Sequence, residues 1–163
     1  IERQVLINNL AIRRATEELK VACDYAQLGR ILVAALASND FDAFDLRLQY
    51  SPSDLLAIHG LHLVSGWGEI PCLRWTRPGT HFAQQSNSAW CLTVDLVSTG
   101  HARCGSMTVY RLYSDRELQC DISLLTSEFP AALADALHRL LTPALQIIPT
   151  PNRPSELIAA QAS

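Results

Sequence analysis

The sequence has no apolar run long enough to span a bilayer and no segment typical of a secretory signal. A membrane-spanning helix needs about 20 consecutive apolar residues, whereas the longest candidate, residues 31–36, is far shorter. The first residues also lack the basic start and the apolar stretch of a signal peptide. Both absences favour a domain that folds in water.

Motifs for common catalytic chemistry are missing as well. The sequence contains no C-x-x-C pair, no phosphate-binding G-x-x-x-x-G-K and no dinucleotide-binding G-x-G-x-x-G. The segment Ser65-Gly66-Trp67-Gly68 does not match the G-x-S-x-G order of a nucleophile elbow. The residues therefore predict no catalytic site and no cofactor, although an enzyme whose site is dispersed along the sequence stays open as an alternative.

Disulfide bonding is not favoured by the cysteines, which are five in number and widely spaced. An odd number without a framework pattern is typical of free thiols in a reducing compartment. Cys91 and Cys104 could face each other across a hairpin, but the preferred interpretation is that both are small buried hydrophobic side chains.

Charge of one sign is not concentrated in any segment. The chain has 13 basic and 16 acidic residues, a formal net charge of −3, and scattered arginines, so no nucleic-acid partner is expected. Asp40, Asp42 and Asp45 form a local acidic group, but the glycine and the distal glutamate of a calcium loop are missing. His59 and His62 lack the further ligands that a zinc site needs. We therefore expect no metal site.

The composition is that of one globular domain. The chain has 163 residues, of which 48% are hydrophobic and 18% charged. This length and balance are sufficient for one well-buried core.

The N-terminal residues have a helical pattern. Val5, Leu6, Ile7, Leu10 and Ile12 form an apolar band. No capping residue precedes this band, which predicts that residues 1–22 belong to a helix that continues from a longer parent chain. The band covers more of the helix than one docking stripe needs, so Leu6 and Leu10 are expected to meet a second copy or another part of the parent.

Two further helices are predicted from capping residues and apolar spacing. Asp24 can cap a helix that ends in the turn at residues 38–40, and Asp121 can cap a closing helix. The apolar stripe of the closing helix consists of Leu125, Phe129, Leu133, Leu137 and Leu140.

Two prolines bear on the limits of the closing helix. Pro130 must lie near its start or at a kink, because a proline inside a helix removes a hydrogen bond. Pro143 is expected to end the helix, and residues 143–163 to form an extended or poorly ordered tail.

Between the helices the apolar period changes to two. The predicted strands are residues 44–49, around 61–64, 72–76, 90–97 and 102–113, the last two forming a hairpin. Residues 81–88 are expected to be an exposed loop. Helices segregated from a strand-rich middle predict an α+β sandwich over residues 23–142, with one antiparallel sheet and with the N-terminal helices and the closing C-terminal helix packed on it. Small sensory domains of the GAF and PAS kinds have this layout, and two starting helices favour the GAF-like version.

Aromatic residues supply the candidate ligand pocket. Trp67, Trp75, Trp90, Tyr110 and Tyr113 could line a space between the sheet and its covering loops. The alternative is that these side chains complete the core and its rim.

Three segments together resemble a known family. They are residues 14–19 (RATEEL), the hairpin at residues 90–113 with its end GSMTVYR, and residues 121–129 (DISLLTSEF). They resemble the cytosolic, GAF-like C-terminal extension of some bacterial polyprenyl-phosphate N-acetylhexosamine-1-phosphate transferases, over most of residues 10–142. Those proteins are membrane glycosyltransferases that load a sugar phosphate onto a lipid carrier.

The resemblance implies an accessory role. In that family the catalytic aspartates lie in loops between transmembrane helices, and their adjacent Asp-Asp motif has no counterpart here. The chain is therefore expected to be a non-catalytic regulatory or assembly domain on the cytoplasmic side, with its parent in the bacterial inner membrane. The membrane portion of that parent is then a second possible partner for Leu6 and Leu10. The alternative function is a GAF-like sensor of an unidentified small ligand in a signalling protein.

Overall fold

The computed structural model describes residues 2–49, 58–64, 70–112 and 117–147, with side chains described as far as residue 140. The helices are α1 (Glu2–Leu19), α2 (Tyr25–Ser38), α3 (Phe82–Gln85), α4 (Ile122–Thr126) and α5 (Glu128–Ile147). The strands are β1 (Ala43–Leu48), β2 (His62–Leu63), β3 (Cys72–Thr76), β4 (Ala89–Val97) and β5 (Arg103–Leu112).

The strands form one antiparallel sheet in the order β2-β3-β1-β5-β4, so β1 is central. Side chains alternate across a strand, and Phe44, Leu46 and Leu48 of β1 belong to the buried core on the side of the helices. α5 packs on β4 and β5 and against α1, which also packs against α2. The predicted α+β sandwich with helices on one antiparallel sheet is confirmed.

Side chains define where the helices begin and end. The Asp24 carboxylate accepts a hydrogen bond from the Gln27 amide at 2.7 Å and so caps α2, as predicted. The Arg139 guanidinium donates to the carbonyls of Leu19 and Ala22, both at 2.9 Å, and satisfies acceptors at the end of α1.

An arginine also satisfies the end of α2. Arg77, which follows β3, donates to the carbonyls of Phe41 at 2.8 Å and Leu36 at 3.2 Å, and to that of Asn39. A cation at a helix C-terminus also interacts favourably with the helix dipole. Because the donor follows a strand and its acceptors lie in the last turn of a helix and just after it, this contact ties the two layers together.

Two expectations about the chain path were wrong. Residues 82–88 form α3 and a 3₁₀ turn, Ser86–Ser88, and Phe82 is buried instead of exposed because its ring packs on the sheet. α5 does not end at Pro143 but continues to Ile147.

Pro130 lies in the first turn of α5, where a missing amide donor leaves no hydrogen bond unmade. The remainder of the predicted tail lies outside the described residues.

Gly105 of β5 occupies a position that only glycine fits. Its φ is +146°, and a Cβ atom built there would lie 1.9 Å from the Arg47 carbonyl oxygen on β1. The close approach of β5 to the central strand therefore depends on the missing side chain.

We expect Gly105→Ala to lower the free energy of unfolding by roughly 2–5 kcal/mol, from backbone strain and overpacking together. Gly79→Ala is the matched control, because Gly79 also has a positive φ, +85°, but nothing lies within 4 Å of its added Cβ. It should cost only about 1–2 kcal/mol. Urea unfolding of both variants measures the difference, and equal losses would mean that the contact with Arg47 is unimportant.

Candidate functional site

A buried ion pair lies on the side of the sheet away from α1, α2 and α5. We call this side the helix-free face, because none of these three helices packs on it. Asp45 of β1 is fully buried, and Arg74 of β3 contacts both of its carboxylate oxygens, with Nε at 2.6 Å and Nη2 at 2.8 Å. The Tyr110 hydroxyl of β5 donates to the same carboxylate at 2.8 Å. Three neighbouring strands thus converge on one carboxylate.

The environment fixes the protonation of the donors. The hydrogen bond to Asp45 raises the pKa of Arg74, and burial, followed by the hydrogen bond to Asp45, raises the pKa of Tyr110. Because the folded pKa of Tyr110 is raised, its contribution to stability is complete below the ordinary tyrosine pKa and is lost as the pH rises through the folded value. Near neutral pH the network is therefore fully formed.

Aromatic rings cover part of this network. The Phe82 ring of α3 lies 4.9 Å from the Tyr110 ring, measured between centroids, and the Arg74 guanidinium carbon lies 5.1 Å from the Phe82 centroid. Both distances are within the range of favourable aromatic and cation–π contacts. α3 thus excludes water from one side of the ion pair.

The arrangement favours binding over proton transfer. The oxygens of Asp45 are occupied by Arg74 and Tyr110, so this carboxylate is not poised as a general base. A second guanidinium, that of Arg47, lies 3.7 Å from Asp45 and is 44% exposed. Two guanidinium groups beside one carboxylate leave this part of the face with an excess of positive charge, which suits an anionic group.

The aromatic residues predicted to line one pocket lie on different sides of the sheet. Trp75 belongs to the core on the helix side, and Trp90 packs against that core. Tyr110 contacts Asp45 and Phe82 on the helix-free face. Trp67 and Tyr113 lie outside the described residues. Ligand binding by any of these side chains stays a prediction.

The three aspartates of the acidic group have separate partners. Asp40 pairs with Arg111 at 2.9 Å, Asp42 accepts from the Leu112 amide at 2.7 Å, and Asp45 belongs to the network above. His59 and His62 are exposed. Within the four described ranges, no group of three or more His, Cys, Asp or Glu side chains could hold a metal ion.

A second surface lies on α1. Leu6 and Leu10 are 59% and 54% exposed, and Ile7 is exposed beside them. A groove of about 460 Å³ runs next to them between α1 and α2. We call Leu6, Ile7 and Leu10 the outer face of α1.

Sequence reasoning did not identify the ion pair or its cover. The alternation of β1 and β3 assigns Asp45 and Arg74 to the polar side of their strands, but only the pairing of β1 with β3 places them opposite each other. Phe82 gave no periodic signal because its helix is a single turn.

Among the described helices, none combines the length and apolar character needed to cross a bilayer. Comparison with protein-family models, with curated proteins and with solved structures finds no match to this chain.

The ion pair is expected to be strongly coupled. Arg74→Met should lower the free energy of unfolding by about 3 kcal/mol, since it leaves a buried carboxylate without its cation. The double change Asp45→Asn with Arg74→Met should lower it by less than the sum of the two single changes, with a difference of about 1–3 kcal/mol. The exposed pair Asp95–Arg103, changed to Asn and Met, should show almost no coupling. Denaturant unfolding of both mutant cycles measures this, and additive losses at Asp45 and Arg74 would contradict the account.

The thiols should react in two classes. Cys23 and Cys91 are exposed, so the expectation of a buried Cys91 was wrong. Burial raises the pKa of the Cys72 and Cys104 thiols. It also raises the pKa of the Cys120 thiol, to about 11. Ellman's reagent at neutral pH should therefore modify Cys23 and Cys91 quickly and the other thiols only after unfolding. Fast modification of Cys72 or Cys104 in the folded protein would show that the sheet opens readily.

Proposed function

We propose that this chain is a non-catalytic accessory domain that acts by binding, on the cytoplasmic side of a bacterial membrane protein that transfers a sugar phosphate to a polyprenyl phosphate. The resemblance of three segments to the C-terminal extension of such transferases supports this choice of parent protein. The outer face of α1 supports the mode of action, because it is an apolar surface that the described part of the chain leaves uncovered.

The two sides of α1 have different tasks. Leu19 is fully buried and Ile12 nearly so, and both contact the core. Leu10 and Leu19 are nine residues apart, which at 100° per residue places them on opposite sides of the helix. The buried side therefore attaches α1 to its own domain, and the outer face remains for another surface.

A second copy of the chain is the occupant that fits this face. Arg3 precedes Leu10 by seven residues and Glu17 follows it by seven, so all three lie along one line of the helix. An antiparallel, two-fold pairing centred on Leu10 brings Arg3 of each copy opposite Glu17 of the other. Opposite charges then flank an apolar centre at both ends of the contact, as in self-complementary dimers.

The pairing predicts a dimer that depends on the outer face. Leu6→Ala with Leu10→Ala should increase the dissociation constant at least tenfold, because apolar area is lost at the centre. Leu63→Ala with Ile70→Ala is the control, since these side chains are 51% and 60% exposed elsewhere on the surface. Sedimentation equilibrium of the three proteins measures the effect.

Two results would contradict the proposal. A wild type that remains monomeric at millimolar concentration would mean that the outer face does not bind a second copy. Magnesium-dependent transfer of a sugar phosphate to polyprenyl phosphate by the purified chain alone would contradict the non-catalytic role. The first result affects the partner and the second the accessory function, so the two can be distinguished.

The second candidate function, a small-ligand sensor, is favoured by the charged network on the helix-free face. If it is correct, small anions such as phosphate or citrate should raise the melting temperature of the wild type and should do so less for Arg47→Gln, because Arg47 is the exposed cation of the network. Chloride at equal ionic strength is the control. Equal shifts with all salts would exclude specific anion binding at Arg47.

A further inference from the structure

β4 (Ala89–Val97) is an outermost strand of the sheet, because the strand order ends with it. It is 9 residues long, whereas β2 at the other edge has 2 residues. β4 contains no proline and no lysine, residues that often protect a sheet edge from further pairing. In the described part of the chain, β5 is its only strand partner. One long edge of the sheet can therefore accept a further strand.

Alternate residues of β4 direct their backbone groups towards this edge. The Gln49 amide donates to the Cys104 carbonyl at 3.0 Å, so the even-numbered residues of β5 face β1. The odd-numbered residues of β5 then face β4, where each is paired with an even-numbered residue as far as Leu96. The odd-numbered residues of β4 therefore direct their amides and carbonyls away from β5. At the centre of the strand these are Cys91, Thr93 and Asp95.

The side chains of β4 form two rows of different character. Trp90, Leu92 and Val94 pack against the core on the helix side but remain partly exposed. Cys91 and Thr93 are exposed on the helix-free face. The core thus extends to the edge of the sheet and ends there with apolar side chains that are incompletely covered. A strand added beside β4 would complete their cover and satisfy the outward backbone groups together.

We infer that β4 pairs with β4 of a second copy, antiparallel about a two-fold axis at Thr93. Thr93 is the middle residue of the strand, so this register pairs all 9 residues. Leu92 then lies opposite Val94 of the second copy, which joins the two apolar rows. Asp95 lies opposite Cys91 of the second copy, so no carboxylate meets its own copy. The strand is therefore complementary to itself in length, apolar pattern and charge.

Other registers fit the same strand less well. An axis at Asp95 would set two carboxylates directly opposite each other, which is destabilising. A shift by one residue would set the row of Leu92 and Val94 beside the polar row of the second copy, because successive side chains point to opposite faces. The axis at Thr93 avoids both conflicts.

Pairing at β4 and pairing at α1 use different residues, so the inference does not rest on the proposed function. The apolar side chains of β4 are already partly buried, whereas Leu6 and Leu10 are 59% and 54% exposed. Less apolar area remains to be buried at β4, so we expect the weaker contact there. It joins copies that are already paired at α1 into larger assemblies at higher protein concentration.

Opposite charges placed at the two-fold axis test the inference. The parent chain for the test carries Leu6→Ala and Leu10→Ala, which weaken association at α1, and should form dimers with a dissociation constant on the order of 100 μM. Thr93→Lys or Thr93→Glu in this chain sets two like charges opposite each other and should raise that constant about fivefold. An equimolar mixture of the two variants should restore the parental value. Sedimentation equilibrium measures all four samples.

Ala37→Lys and Ala37→Glu are the controls, because Ala37 is exposed on α2 and introduces the same charges away from β4. Neither control should change the association. A parent chain that stays monomeric at millimolar concentration, or a mixture that associates no better than the separate Thr93 variants, would overturn the inference. Because the parent chain already lacks the apolar centre at α1, neither result depends on whether the outer face of α1 binds a second copy.

Discussion

The buried carboxylate of Asp45 is the constraint on which the sheet depends. β1 is the central strand, and its alternation directs Phe44 and Leu46 into the core on one side and Asp45 to the other. A fully buried charge is tolerated only with good partners, and Arg74 and Tyr110 supply them from the two neighbouring strands. The same contacts hold β3, β1 and β5 in register from the side that no long helix covers.

The helical layer is held by a different set of contacts. Arg139 and Arg77 bind the carbonyls at the ends of α1 and α2, and the buried side of α1 attaches to the core. The outer face of α1 takes part in none of these contacts. An apolar helix face that the described residues leave exposed suits association with another surface.

The sequence was sufficient for the elements whose signals are local. The cap at Asp24, the alternation of residues 90–97 and the stripe of α5 each depend on neighbouring residues, so helices, hairpin and α+β class could be predicted. The pairing of Asp45 with Arg74 could not, because it depends on the antiparallel register of β1 and β3. The distribution of the aromatic residues could not be predicted either, since the parity of each strand places Trp75 and Tyr110 on opposite sides of the sheet.

A disulfide cross-link tests most directly the proposed pairing of the outer face of α1 with its copy about a two-fold axis at Leu10. In a chain with Cys23→Ser and Cys91→Ser, which removes both exposed thiols, Leu10→Cys is oxidised beside an Ile70→Cys control. A disulfide needs Cα atoms about 4.4–6.8 Å apart. The account predicts that Leu10→Cys rapidly forms a covalent dimer and that Ile70→Cys does not. If Leu10→Cys cross-links no faster than Ile70→Cys, the account is contradicted.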